Sequence, residues 1–220
     1  YFTDRDGKYQ LKSLAESSFD PLARTCQFML TEEAHHMQVG ESGITRMIER
    51  TLELMKKLNT DSPDTIRNAG AIDLNTIQKY INFWFSSSLD LFGSEISTNA
   101  ATAFANGLKG RPDEFRYHDH SEKNTFYDIE NYIDGKIVSQ KVPMRNAMNE
   151  ITRQAYIDDC NIGIKRWNRL IQKYGYEEYS LSLPSIKFRR NIGIWANLPF
   201  NTSGAILPVD TYNKLLSSWL

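Results

Sequence analysis

The sequence predicts a mainly α protein, a helical bundle with one small β-hairpin and an irregular C-terminal tail. Three observations carry this. Apolar residues recur at three- and four-residue spacing along several long segments. Asp134-Gly135 joins two short runs rich in Ile, Val and Tyr, the pattern of a tight hairpin. Pro184, Pro199, Gly204 and Pro208 interrupt roughly the last 45 residues.

In order, residues 1–16 are expected to be helical. Ser17-Ser18-Phe19-Asp20-Pro21 reads as a break and restart, with Asp20 as N-cap and Pro21 in the first helical position. That second helix should run to about Val39 and end near Gly40. A third should span Ile44–Leu58, where Ile44, Met47, Ile48, Thr51, Leu52 and Met55 fall at helical spacing. Asn59–Gly70 is expected as a polar connection, and 73–106 as one further helical stretch stopped by Gly107 and Gly110-Arg111-Pro112. Residues 113–124 read as a charged loop. Phe126–Ile133 and Lys136–Val142 should form the hairpin, and a helix should follow Pro143 to about Tyr174. The chain thus divides into a helical part (1–110), a loop and hairpin (111–142), and a long helix with an irregular tail (143–220).

Composition excludes several classes. Lys plus Arg is 26 and Asp plus Glu 27, a net charge of -1, so bulk positive charge cannot drive nucleic-acid binding. With 40% hydrophobic and 24% charged residues, the chain of 220 can bury a core without disulfide staples. No apolar run is long enough to span a bilayer, so no membrane partner is expected. The start, Tyr1-Phe2-Thr3-Asp4, lacks the apolar stretch of a signal peptide and reads like the middle of an element, which suggests preceding residues. Cys26 and Cys160 have no metal or redox spacing. They read as buried free thiols in a reducing compartment, the cytoplasm by default.

The segment Glu32-Glu33-Ala34-His35-His36 carries the chemistry, with two overlapping Glu-x-x-His pairs. Residues three apart share a helix face, so a carboxylate and an imidazole can meet one metal ion. At about 100° per residue, Leu22, Cys26, Met29, Leu30 and Met37 all lie within about 60° of Glu33. Glu33 therefore sits in the apolar stripe, His36 at its edge, and Glu32 and His35 on the outer face. A carboxylate in such a stripe is costly unless paired or metal-bound. At ~1.5 Å per residue, Glu33 lies roughly 20 Å past the turn, and the same distance backward lands near residue 4. Asp4 shares a face with Leu11 and Ala15, whereas Asp6 faces Gln10 and Ser13. Asp4, Glu33 and His36 are the candidate metal ligands. The competing reading is an ordinary bundle, a scaffold or interaction domain in which Asp4, Glu33 and His36 make an interior polar network.

At these residues the chain resembles a known family. Tyr1–Lys8, Asp20-Pro21-Leu22-Ala23-Arg24-Thr25-Cys26 and Leu30-Thr31-Glu32-Glu33-Ala34-His35-His36-Met37 look like the oxygenase components of benzoyl-CoA epoxidases. The likeness continues through Ser88–Ser97, Gly107-Leu108-Lys109-Gly110-Arg111 and Lys165-Arg166-Trp167-Asn168-Arg169. It implies a ferritin-like bundle, here partial, that holds a di-iron centre. It also implies use of O2, and of electrons from an NADPH-dependent reductase partner, to epoxidise the ring of an aromatic acyl-CoA in aerobic aromatic catabolism. The phenylacetyl-CoA epoxidase subunit is a more distant relative. By that parallel Glu33/His36 is the second Glu-x-x-His pair and Asp4 the carboxylate of the preceding helix. The first pair is then expected in an upstream part of the same enzyme, making this chain a C-terminal portion.

Other residues carry blander expectations. His118-Asp119-His120 reads as solvated loop. Asp90 and Glu95 read as caps or buried hydrogen-bond acceptors. Lys109, Arg111, Lys187, Arg189 and Arg190 are the cations suited to a CoA phosphate, although such clusters usually form a solvated face. Phe83, Trp84, Phe85 and Phe92 are expected in the core.

Overall fold

The computed structural model describes residues 1–116 and 125–218. Among them are seven α-helices and one two-stranded antiparallel sheet, in agreement with the expected mainly α class.

Helix α1 (Phe2–Ala15) and helix α2 (Asp20–Leu58) form an antiparallel hairpin. The turn lies where Ser17-Ser18 predicts it, but Phe19, not Asp20, is the N-cap. Asp20 is already helical and its carboxylate pairs with Arg24 one turn on, so it is not free to cap. Helix α2 is also one uninterrupted element of 39 residues, not two helices parted at Gly40. Gly40 is present for close approach: a Cβ there would lie 2.8 Å from the Tyr1 backbone nitrogen and 2.9 Å from its Cα. Gly43 meets nothing within 4 Å, and both glycines stay helical.

Asn59 ends α2 in the left-handed region, at φ 48°. The expected polar connection contains a short helix, α3 (Pro63–Asn68), capped by the Ser62 hydroxyl, which accepts from the Thr65 N–H. The stretch 73–106 is two helices, α4 (Leu74–Asp90) and α5 (Thr98–Ala105). Asp73 caps the first and Ser97 the second, while Gly93 at φ 83° turns the chain between them. Strands β1 (Phe126–Ile133) and β2 (Lys136–Pro143) pair in the register that Asp134-Gly135 dictates, Ile133 opposite Lys136. Both turn residues have positive φ, as a type I′ turn requires. Helix α6 (Met148–Lys173) follows, and the tail is irregular except for α7 (Val209–Ser217), which the sequence reading missed.

The main core lies between the first turn of α1, the C-terminal half of α2, α3, α4 and α6. Ile48, Leu52, Phe85, Leu89, Tyr156 and Ile171 are inaccessible to solvent there. Two smaller clusters sit under the hairpin, around Met148 and around Ile129. No helix among the described residues is long and apolar enough to cross a membrane.

Both cysteines are free and buried, as expected. Burial raises the pKa of each, that of Cys160 to about 12, because a thiolate has no solvent to stabilise it. Neither thiol should therefore react with a disulfide reagent in the native protein, while both react at once in denaturant. Fast native labelling of Cys160 would contradict its placement.

Candidate metal centre

Asp4, on the first turn of α1, and Glu33 and His36, in the N-terminal half of α2, come together as the sequence predicts. One ligand atom from each lies within 4.8 Å of the others. The antiparallel α1–α2 pairing does this by placing residues equidistant from the turn at one height. Glu32 and His35 are exposed, again as expected.

Charged contacts fix the register of α1. Arg5, itself buried, bonds Glu41 of α2 at 3.2 Å and Asp159 of α6 at 3.3 Å. Lys8 and Tyr9 also bond Asp159, at 2.7 and 3.2 Å. Burial works to raise the Asp159 pKa, yet the Lys8 hydrogen bond and the Arg5 charge hold it below the usual carboxylate range. Asp4 is thus presented by a helix tied on two sides.

The three side chains differ in setting. Glu33 keeps 18% of its side-chain exposure, Asp4 38% and His36 52%. Glu33 Oε2 is buried and finds no hydrogen-bond partner. His36 Nδ1 is its nearby polar neighbour at 3.9 Å, too far for a hydrogen bond. Gly7, one turn beyond Asp4, faces the same carboxylate. The donor set is two carboxylates and an imidazole, a combination suited to iron.

The chain is 49% identical to benzoyl-CoA oxygenase component B of Aromatoleum evansii. The alignment takes in 100% of this chain, so the resemblance read from the sequence is borne out across its length. The chain spans 46% of that relative, less than half. No protein-family model matches it.

Several expectations change. Asp6 does not join the group, but neither does it lie on a polar face: it is 5% exposed and accepts one hydrogen bond, from Gln10 at 3.3 Å. Burial raises its pKa to about 6. Met29, assigned to the apolar stripe, is 43% exposed because no element of the described residues covers that part of α2. Phe85 and Phe92 are core residues, but Trp84 is half exposed. It lines an apolar groove of about 360 Å³ with Phe2, Met47, Ile72 and Tyr80.

Asp90 and Glu95 are buried acceptors, as read. Asp90 takes the Arg190 Nε–H at 2.6 Å and the Asn191 N–H at 2.9 Å. Glu95 takes the Ile194 N–H at 2.7 Å and pairs with Arg153 and Arg190. This removes Arg190 from the solvated cations, and Arg111 is likewise buried against Glu114. A cation enclosed by carboxylates has no exposed face for a phosphate. Lys187 pairs with Glu130 at 2.9 Å, Arg189 lies over the Phe83 ring, and Lys109 is partly buried beside Asn149. His118-Asp119-His120 lies outside the described residues.

Proposed function

We propose that Asp4, Glu33 and His36 are one part of a di-iron centre in an oxygenase acting on benzoyl-CoA. The observation that carries the reading is the buried, partnerless Glu33 Oε2 in a group of three potential ligands. A buried carboxylate oxygen without a donor is costly, and a cation shared with Asp4 and His36 removes that cost. The whole-chain identity to a benzoyl-CoA oxygenase component supports the substrate. A metal-free polar network is less well supported, because Glu33 and His36 are too far apart to bond and His36 is half exposed.

Three ligands do not complete a ferritin-like site, which takes a Glu-x-x-His from each of two helices and a carboxylate from each of two others. We assign the remainder to polypeptide beyond this chain, approaching the side on which Asp4 and His36 are still open. Bound there, iron would supply activation of O2, with one oxygen atom added to the aromatic ring and the other reduced to water by two electrons and two protons. Asp4 and Glu33 hold negative charge against the cation, and His36 contributes a neutral nitrogen. Arg5 and Lys8 keep α1 seated while this happens. Electrons come from an NADPH-dependent reductase partner, and the setting is cytoplasmic aromatic catabolism.

Iron content and benzoyl-CoA turnover of the intact protein, with and without His36→Ala, test this. Wild type should carry about two irons per polypeptide and oxidise benzoyl-CoA with O2 when NADPH and its reductase are supplied. His36→Ala should lose both properties. Unchanged iron and turnover in His36→Ala would refute the ligand assignment.

A further inference from the structure

We propose that Gly40 and Gly163 are positioning residues for the candidate metal centre: they seat Tyr1 between α2 and α6, and that seat sets the distance between Asp4 and His36. The inference rests on the metal reading above. Both glycines lie within helices and outside the left-handed region, so backbone conformation does not demand them. Each weakens its helix relative to alanine. Both meet the same neighbour. A Cβ at Gly40 would stand 2.8 Å from the Tyr1 nitrogen and 2.9 Å from its Cα. A Cβ at Gly163 would overlap the Tyr1 hydroxyl and stand 2.8 Å from Cζ.

Tyr1 has no room to yield. Its side chain is 1% exposed, and its ring packs on Phe2 and Trp167 with centroids 4.9 and 4.8 Å away. The Arg5 guanidinium lies over that ring at 4.3 Å. The hydroxyl finds no hydrogen-bond partner among the described residues, so its fit against Gly163 is one of shape. The seat is one helical turn from the ligands on both helices. Tyr1, the N-cap of α1, precedes Asp4 by three residues, and Gly40 follows His36 by four, so each pair shares a helix face. The Tyr1–Gly40 contact and the Asp4–His36 pair are therefore adjacent rungs of the α1–α2 hairpin. A methyl group at Gly40 needs roughly 1 Å more room to reach ordinary packing distance, whereas a functional site tolerates about 0.5 Å of misplacement. Whichever helix gives way, ligand atoms now within 4.8 Å of one another move apart.

The test uses the intact protein, titrated anaerobically with ferrous iron, with the Mössbauer spectrum of the iron-loaded form as a second readout. Gly40→Ala and Gly163→Ala should each weaken iron binding by roughly 10-fold, the scale of losing a group that orients a ligand, and each should change the spectrum. Gly43→Ala, which meets nothing within 4 Å, should match wild type in both. Tyr1→Leu removes the atoms that a methyl group at Gly163 would strike, so Gly163→Ala/Tyr1→Leu should bind iron more tightly than Gly163→Ala alone. Where Gly40→Ala costs too much stability to fold, the helix propensity gained in Gly43→Ala offsets the loss, and Gly40→Ala/Gly43→Ala is compared with Gly43→Ala. Wild-type affinity and spectrum in Gly40→Ala or Gly163→Ala, or no recovery with Tyr1→Leu, would overturn the assignment while leaving the metal reading in place. So would failure of Gly40→Ala/Gly43→Ala to fold, since the glycine would then serve packing alone. A wild-type protein that binds no iron overturns both.

Discussion

Arg153→Ala should destabilise the protein by about 3–5 kcal/mol, the cost of removing one member of a buried charge cluster. Arg153 is fully buried. Its guanidinium pairs with Glu95 and Glu150 and donates to the Leu89 and Gly93 carbonyls. Burial, and the charge of nearby Arg190, push its pKa below the ordinary guanidinium value. The change would strand two carbonyls at the end of α4 and leave Glu95, 2% exposed, with Arg190 as its remaining cation. Urea unfolding gives the number. A loss under about 1 kcal/mol, the range of exposed pairs, would mean that the cluster does not hold the α4–α5 break against α6 and the tail.

The second large effect is at the site. Glu33→Ala should lower iron affinity at least about 100-fold, more than loss of an outer orienting partner. The metal-free form should become slightly more stable, because the substitution removes a buried oxygen that has no partner. A ligand and a structural residue thus differ in sign. If Glu33→Ala unfolds more easily in metal-free buffer, the carboxylate serves the fold. If iron binding survives, it is not a ligand. Both readings come from one protein sample, by calorimetry with and without ferrous iron.

The candidate site was legible because a helix repeats every 3.6 residues. That period put Glu33 inward and His35 outward, and symmetry about the Ser17–Phe19 turn selected Asp4. The hairpin was legible for a similar local reason, since Asp134-Gly135 supplies both positive-φ positions. What escaped was decided at long range. Gly40 looks like a helix stop in sequence and is instead a contact point for the start of α1. The break after Asp90 is hidden in an apolar run: Gly93 turns the chain, and the polar groups around the turn meet Arg153 and Arg190, 63 and 100 positions beyond Asp90. Arg190 looked like a surface cation for the same reason, since Asp90 and Glu95 become its neighbours only in the fold, whereas the partner of Arg111, Glu114, lies three positions on. Helix α7 has no strong start signal and lies after three prolines.

The length of α2 has a mechanical consequence. At ~1.5 Å per residue it is a rod of roughly 58 Å. Its C-terminal half is clamped in the core by Ile48, Leu52 and Met55, all nearly inaccessible. Its N-terminal half, with Glu33 and His36, touches α1 on one side and leaves Phe28, Met29 and Val39 exposed. The candidate ligands therefore ride on the half of the rod that is held through α1 and the turn at Gly107, not on the half seated in the main core. Whatever settles on its exposed face, at Phe28, Met29 and Val39, would stiffen the rod and set the spacing of the candidate ligands together.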